Sequence, residues 1–567
     1  MRSVRCLFLA LASVGLVPSS SFETAFSLRG RSRVKSELAA VSAGDVPTQS
    51  RRAVVVGGGP VGLASAITLS NAPHFYDVVV LEQSEKASGY DPTKAFLYLV
   101  NARGQEWTKR FPSVQEKLVE RGSVSHGFGN WVTVPADPNE AVPPKFPRGN
   151  SSEPGYWVPR HAMVDLLEEV IEDQERSRQR EGLKIGSIQV LPCQQCQSLK
   201  TLDDGQVEVT VLDTTDENAR FEHSFVGNLV VGADGMNSAV RDCLADNTAT
   251  KGSWLTLEHK RFKVKSWTSP ATGLRMKVLQ FPANFTIPNP DGDIVTESET
   301  IYAIRSINKR PLNYVSLGLL PVKDPNMARA TNVITRPNHD IWKLKSAGEY
   351  KEWFIKAFPR LRLGEMISDS EWDRFYNARG TSFPKCQYCP GMQVSHPNGN
   401  SGVVLVGDAI HAFPPDIGQG INAGLGDVEA LDRALKGNNL ITNTPEGAPP
   451  AKLADALKEY EKVRGPEIRA LIRLARFGSP YQYRQPLRKD RVGRFLWTLN
   501  VAMRTVMNKV SRGLVPPPAI IRAMDRRYTF RRLMRDADLT TVGFMTLPLL
   551  LIWKLFGAAL LKGTLTR

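Results

Sequence analysis

Cysteine is scarce, with six in 567 residues. Cys6 lies near the N-terminus. The other five, Cys193, Cys196, Cys243, Cys386 and Cys389, are too sparse to staple a disulfide scaffold. The two CxxC pairs lie far apart, so incidental thiols are preferred to a zinc site built from both. A surplus of positive charge is also missing from most of the chain. The formal net charge is +16, yet Arg484 to Arg535 alone holds 14 Lys/Arg against 2 Asp/Glu, and the remainder is nearly balanced. That distribution excludes a general nucleic-acid binder and points to one local basic surface. Acids are few between Phe22 and Ser50, and arginine is absent from Gly122 to Pro147.

What is present is an ordinary globular composition, long enough for two or three domains and a large core. Residues 1–50 read as targeting sequence. Arg2 and Arg5 precede an apolar run, Cys6 to Val17; small residues follow at Ser19 to Ser21, and then a stretch rich in Ser and basic residues. A signal followed by a transit-like segment is similar to the bipartite presequences of algae with secondary plastids, with Phe22 or Phe26 after the cleavage point. That implies a plastid location. The secretory system or endoplasmic reticulum membrane and the mitochondrion remain open. At the other end, Leu539 to Leu561 is almost wholly apolar, with Lys554 its only charge. Its length suits a membrane span or an in-plane anchor, directly behind the basic stretch.

Between the ends, the most informative stretch is Val54-Val55-Val56-Gly57-Gly58-Gly59-Pro60-Val61-Gly62. It predicts a buried strand, a glycine turn and the start of a helix. In the GxGxxG spacing, Gly57 allows the tight turn, Gly59 lets backbone approach a diphosphate, and Gly62 lets helix and strand pack closely. The helix N-terminus favours the diphosphate charge. A second strand, Asp77 to Leu81, ends in Glu82, placed to accept a ribose hydroxyl.

Helices are predicted near Gln105–Glu120, His161–Arg178, Asp340–Phe358, Lys452–Phe477 and Arg491–Val510. Residues 184–232 alternate as strands, with hairpin signals at Asp203-Asp204-Gly205 and from Asp213 to Asn218. Long β-like runs between 252 and 322 predict one antiparallel sheet in a separate domain. Trp254, Trp267, Phe281 and Tyr302 there either line a pocket or fill a core, the core being preferred. The expected organisation is a presequence (1–50), an α/β Rossmann-like domain (51–250 and 380–436) and an inserted sheet domain for substrate (251–379). A basic helical region (437–538) and a membrane segment (539–561) follow.

Two further motifs follow apolar strands. Asn228 to Gly232 leads into Asp234-Gly235, with Ser238 and Arg241 beyond. Val403 to Val406 leads into Gly407-Asp408, then His411, Pro415, Asp416, Gly418-Gln419-Gly420-Ile421-Asn422 and Asp427. Each acid falls at a strand's carboxyl end, where open α/β sheets bind ligands and carboxylates accept hydroxyl hydrogen bonds. The Gly418 turn opens a helix whose positive end suits a developing anion.

Together these three elements resemble the class A, single-component flavoprotein monooxygenases over roughly residues 51–435. The resemblance implies FAD held by Gly57, Gly59, Pro60, Val61, Gly62, Glu82, Gln83, Arg103, Arg160, Asp234, Gly235, Asp408, Gly418, Gly420, Ile421 and Asn422. It places Pro415, Gln419 and Asn422 near the flavin ring as the catalytic set. It implies NADPH or NADH as reductant, and oxygen transfer from a flavin C4a-hydroperoxide to an aromatic substrate. Within the family, Ala95 to Gly104 and Gly418 to Gly424 are similar to the kynurenine 3-monooxygenase branch, as is a C-terminal anchor. The arginine that holds a substrate carboxylate in that branch is missing here; Phe128 falls near its place, and Asp416 replaces an apolar residue. His411 is read as structural rather than as a proton donor. The alternatives are an epoxidase or hydroxylase of a lipophilic isoprenoid or quinone-like substrate, a flavin-dependent reductase without oxygen transfer, and a non-catalytic membrane flavoprotein.

Overall fold

The computed structural model describes residues 15–16 and 51–565, apart from 73–74, 88–96, 128, 149–152, 182–184, 217–218, 247–258, 311, 438–451 and 484–486. Most of the targeting segment, Phe128 and Trp254 therefore lie outside the described residues.

A six-stranded sheet carries the N-terminal motif. Its strands are β1 (Arg51–Val56), β2 (Phe75–Leu81), β3 (Ser187–Leu191), β4 (Leu229–Gly232), β5 (Gln393–Ser395) and β6 (Gly402–Leu405), in the order β5-β6-β4-β1-β2-β3. All neighbours are parallel except β5 with β6. Val54 pairs with Val79 on one side and Val230 on the other, and Val230 with Val403. These valines have almost no exposure, which explains the continuous apolar runs: a parallel sheet is covered on both faces.

Helix α1 (Pro60–Ser70) begins with proline in its first turn and buries every residue but Val61, so its small residues are a packing requirement. It packs against α2 (Arg160–Glu181) and α3 (Gly420–Leu435). The expected apolar stripe of α2, Met163, Leu166, Leu167, Val170 and Ile171, lies in the same core. The helix expected over 105–120 is broken into Gln105–Thr108 and Pro112–Arg121, because Pro112 cannot continue a preceding helix but suits the start of a new one. Both predicted hairpins are present, in a three-stranded antiparallel sheet of Gln194–Thr201, Val207–Asp213 and Phe221–Gly227.

A second, larger sheet runs Thr381–Ser382, Arg275–Phe281, Arg329–Thr335, Ser316–Leu319, Ile301–Arg305, Gly129–Val134 and Phe146–Arg148, with Gly15–Leu16 beside Arg329–Thr335. It is mixed rather than wholly antiparallel, since Ile301–Arg305 runs parallel to Gly129–Val134. Residues 251–379 supply four of its eight strands, and Thr381–Ser382 lies just beyond them. Three come from earlier in the chain, because strand pairing is set across space and not by proximity in sequence. Phe281 and Tyr302 fill its core with Phe354, Trp372 and Phe375.

Helices α4 (Leu453–Phe477), α5 (Arg488–Val510) and α6 (Phe530–Leu565) complete the molecule. The stretch Leu539–Leu561, read as a membrane span, lies inside α6. Among the described residues no helix is long and apolar enough to cross a membrane, so the spanning anchor is not upheld. The first turns of α6 carry Arg531, Arg532, Arg535, Asp536 and Asp538, and bury Phe530, Leu533 and Met534 in a core shared with α4. The start of this helix is thus part of the folded body.

Candidate functional site

Register decides what meets at the edge of the first sheet. Val56 pairs with Leu81 and Gly232, and Gly232 with Leu405, so β6, β4, β1 and β2 end side by side. The residues just beyond them are Gly407-Asp408, Asp234, Gly57 and Glu82. The three separated sequence motifs are therefore one site.

The three glycines of the turn have three different surroundings. Gly57 has φ +107°, and a Cβ there would lie 2.5 Å from the Ala233 carbonyl oxygen. A Cβ on Gly62 would lie 1.8 Å from the Gly57 carbonyl oxygen. At Gly59 a Cβ would meet nothing within 4 Å. The outer two are fixed by the protein's own packing, and the middle one borders open space. Glu82 secures the turn: it accepts from Gly58 N at 2.7 Å and from Ser84 N at 2.9 Å. Both carboxylate oxygens keep lone pairs for a further donor. Gln83 beside it is exposed.

Asp234 accepts from Val240 N through Oδ2 at 3.1 Å, while its buried Oδ1 has no partner. Burial pushes its carboxyl above the ordinary range. Gly235 follows at φ +81°. Arg241 joins this loop to the next, donating to the carbonyls of Met236 (3.0 Å) and Ala409 (3.1 Å).

Asp408 is the one exposed residue between Ser401 and Ala412. The surrounding protein nevertheless pushes its carboxyl upward. Its loop is braced by Asp427, which is fully buried. Asp427 Oδ2 accepts from Gly407 N (2.9 Å) and lies 2.7 Å from His411 Nε2, and Oδ1 accepts from Arg464 Nη2 (2.6 Å). Burial alone would raise the Asp427 carboxyl; His411 and Arg464 outweigh it and hold it low. His411 is thereby tied to a structural ion network.

Gly418 takes the left-handed conformation, φ +59°, and α3 starts at Gly420 and Ile421. Neither α1 nor α3 has an acid in its first turn. Pro415 is half-buried. Asn422 is engaged by the chain itself: Oδ1 accepts from Asn101 N (2.9 Å), and Nδ2 donates to the carbonyls of Leu99 (2.9 Å) and Gly418 (3.2 Å). It fixes the strand Leu97–Val100 to the flavin loop. Gln419 is fully buried with both amide atoms unpartnered.

The two arginines diverge. Arg160 donates to the Ala87 carbonyl and to Tyr98, whose hydroxyl burial pushes up to about 12 and which feels the charge of Asp408. Arg103 instead reaches the C-terminal segment, donating to the carbonyls of Ala523 and Asp525, each at 2.8 Å, and of Tyr528, over the Phe530 ring. Arg464, Gln482 and Tyr483 carry no motif and were not legible in the sequence; Tyr98 lies within the Ala95 to Gly104 stretch but was not singled out as a site residue. The polar and aromatic run Ser479 to Tyr483, interrupting a basic helical region, was the available signal for the last two.

The residues present fit a flavin dinucleotide. The open space at Gly59 beside the acid-free start of α1 admits a diphosphate. Glu82, the free Oδ1 of Asp234 and exposed Asp408 are acceptors for hydroxyls, and the start of α3 offers positive potential to the ring.

A family model described as FAD binding domain matches residues 51–309 and 391–443, more than half of the chain. An FAD-dependent monooxygenase of Penicillium janthinellum is 24% identical over 55% of this chain and 60% of the relative. A kynurenine 3-monooxygenase of Cryptococcus neoformans is 22% identical over 76% of this chain and 78% of the relative. The chain spans only 30% and 60% of the length of the first two curated relatives it matches. Among solved structures, a variant of 2-methyl-3-hydroxypyridine-5-carboxylic acid oxygenase is 17% identical with a TM-score of 0.50, covering 81% of this chain and 96% of that one. That likeness concerns the fold alone.

Proposed function

Because the chain belongs to the FAD binding domain family, and with it to the class A flavoprotein monooxygenases, we propose that it takes electrons from NADPH or NADH and places one oxygen atom of O2 on an electron-rich organic substrate. The observation that carries this reading is the meeting of Gly59, Glu82, Asp234 and Asp408 at the carboxyl ends of four adjacent strands, with Gly418 to Asn422 alongside. When bound, the flavin supplies the redox and oxygen-transfer chemistry. The chain holds and orients it. The turn at Gly59 takes the diphosphate, and Glu82 and Asp234 take hydroxyls. The α3 N-terminus lowers the energy of negative charge near the ring.

The substrate reading is an aromatic, kynurenine-like ring, supported by the similarity of the flavin loop to that branch. A lipophilic substrate is the second reading. It is supported by α5, which presents Phe495, Leu496, Leu499, Val506 and Val510 to solvent along one helical face, amid Arg488, Lys489, Arg491 and Lys509. Such a face suits peripheral, in-plane contact with an anionic membrane rather than a span.

The test is NADPH oxidation by the FAD-reconstituted chain, with and without L-kynurenine, with products analysed by mass. Strong stimulation and a product one oxygen heavier establish the kynurenine reading. Bound FAD without stimulation removes it and leaves the lipophilic one.

A further inference from the structure

A buried polar seam runs between the flavin loop and the segment joining α4 to α5. Asp416 has no exposure, and its Oδ1 accepts from Gln482 Nε2 at 2.6 Å. Asp416 Oδ2, Gln482 Oε1, Ser479 Oγ and the Tyr483 hydroxyl are buried without a hydrogen-bond partner, as are both amide atoms of Gln419, three residues beyond Asp416. Interiors pair nearly all such atoms, so six orphans on two touching segments mark a place where a polar partner belongs. The seam faces the large sheet: the Tyr483 ring stands edge-on to Phe383 at 5.7 Å and packs with Ala271, Leu274, Met276 and Ile334. Apolar neighbours and unpartnered polar atoms therefore lie together directly after Pro415.

We propose that this seam recognises an uncharged hydrogen-bonding group of the substrate, a hydroxyl or N–H, with Asp416 as its acceptor, and rejects a carboxylate at that end. This rests on the oxygenase reading of the neighbouring loop. The donor and acceptor inventory suits a group that both gives and takes a hydrogen bond. Among the described residues, the groups facing Asp416 are Gln482, Tyr483 and Cys386; only the Gln482 hydrogen bond lowers its carboxyl, and burial pushes it up to about 7. The contrast is Asp427, eleven residues on, held low by His411 and Arg464. A second carboxylate there would enter a buried site where only the hydrogen bond from Gln482 offsets the charge of Asp416. A neutral hydroxyl would satisfy Oδ2 whether it donates to the ionised carboxyl or accepts from the protonated one.

The test uses the FAD-reconstituted full chain and three rings of one size: 1-naphthol, naphthalene and 1-naphthoate. Binding is read as perturbation of the flavin absorbance. The expected result is half-saturation by 1-naphthol at a concentration about ten-fold below either of the others. Asp416→Leu and Gln482→Leu, each from a different segment, should bring 1-naphthol to within about three-fold of naphthalene. Flavin content and thermal melting show that each variant is folded. Tight binding of 1-naphthoate, a preference that survives in both variants, or a flavin-loaded chain that distinguishes none of the three overturns the proposal. A chain that takes up no FAD lacks the flavin spectrum altogether; that separate outcome overturns the oxygenase reading and this inference with it.

Discussion

Gly59 and Gly62 are three residues apart, and a methyl group should act on them in opposite ways. Gly59 already has φ −72°, and its added Cβ meets nothing, so Gly59→Ala should melt within about 2 °C of the wild type. The same methyl occupies space meant for a diphosphate, and FAD affinity should fall about ten-fold or more. Gly62→Ala drives a Cβ into the Gly57 carbonyl and should cost about 3 kcal/mol. Melting together with flavin-fluorescence titration separates the two; equal stability of both variants would show the turn to be softer than its geometry. Asp416 gives a residue-level pH prediction. Its carboxyl rises from 3.8 to about 7 in the fold, so the folded state retains a proton that the unfolded chain has released. The associated stability is fully present below pH 4 and is lost as pH climbs through 7. Asp416→Asn does not titrate. Relative to it, the wild type should lose on the order of a few kcal/mol between pH 5 and pH 8 in chemical denaturation. A pH-independent difference would show that the carboxyl titrates normally.

At the scale of elements, the C-terminal segment before α6 is latched to the first domain at Arg103, with Arg526 beside it. Arg103 holds three carbonyls of that segment, and burial lowers its own pKa to about 10. Arg526 adds bonds to Glu106 (3.0 Å) and Glu153 (2.8 Å), and Glu467 of α4 accepts from Phe530 N (2.7 Å) at the start of α6. Replacing Arg103 with Ala removes the side-chain donor from three carbonyls, of which, among the described residues, Asp525 alone keeps a backbone donor, Tyr528 N, and the exposed ion pairs of Arg526 are too weak to compensate. Native-state trypsin cleavage after Arg522, Arg526 or Arg527 should then run about ten-fold faster, while α4 stays protected. Unchanged cleavage would mean that the Phe530, Leu533 and Met534 contacts suffice alone. This latch is also where local reading of the sequence falls short. Arg103 was expected at the cofactor, but its partners lie more than four hundred positions later, at a separation no periodicity reports. The strand–turn–helix of Val54 to Ser70 was fully legible, because its glycines, proline and apolar run all act on near neighbours.

For the whole molecule, charge and exposed apolar surface gather in one region. Most of the net charge of +16 falls between Arg484 and Arg535, and within it Phe495 is 67% and Val510 73% exposed on one face of α5. Leu539, Val542 and Met545 of α6 are exposed as well. An apolar stripe of this length with flanking cations should bind vesicles by insertion to headgroup depth and by attraction to anionic lipid. Co-sedimentation with vesicles containing phosphatidylserine should exceed that with purely zwitterionic vesicles by about ten-fold at low salt and weaken as salt is raised. Leu496→Glu with Leu499→Glu should abolish it; undiminished sedimentation of that double variant would exclude the α5 face.

The sequence by itself determined the motifs whose physics is local. The glycine turn, the acids closing apolar strands, the stripe of α2 and the hairpin turns all follow from side-chain size, backbone freedom and period. The tertiary structure alone decided which of them meet. Register between β6, β4, β1 and β2 brings Asp408, Asp234, Gly57 and Glu82 to one edge. Pairing across the large sheet recruits strands from Gly129 to Arg148, and the seam at Asp416 exists only because Gln482 folds back onto it. The apolar stretch after Leu539 shows the limit most directly. Hydropathy read it as a span, whereas its helix begins upstream inside the folded body, with Phe530, Leu533 and Met534 buried against α4, and no helix among the described residues is long and apolar enough to cross a membrane.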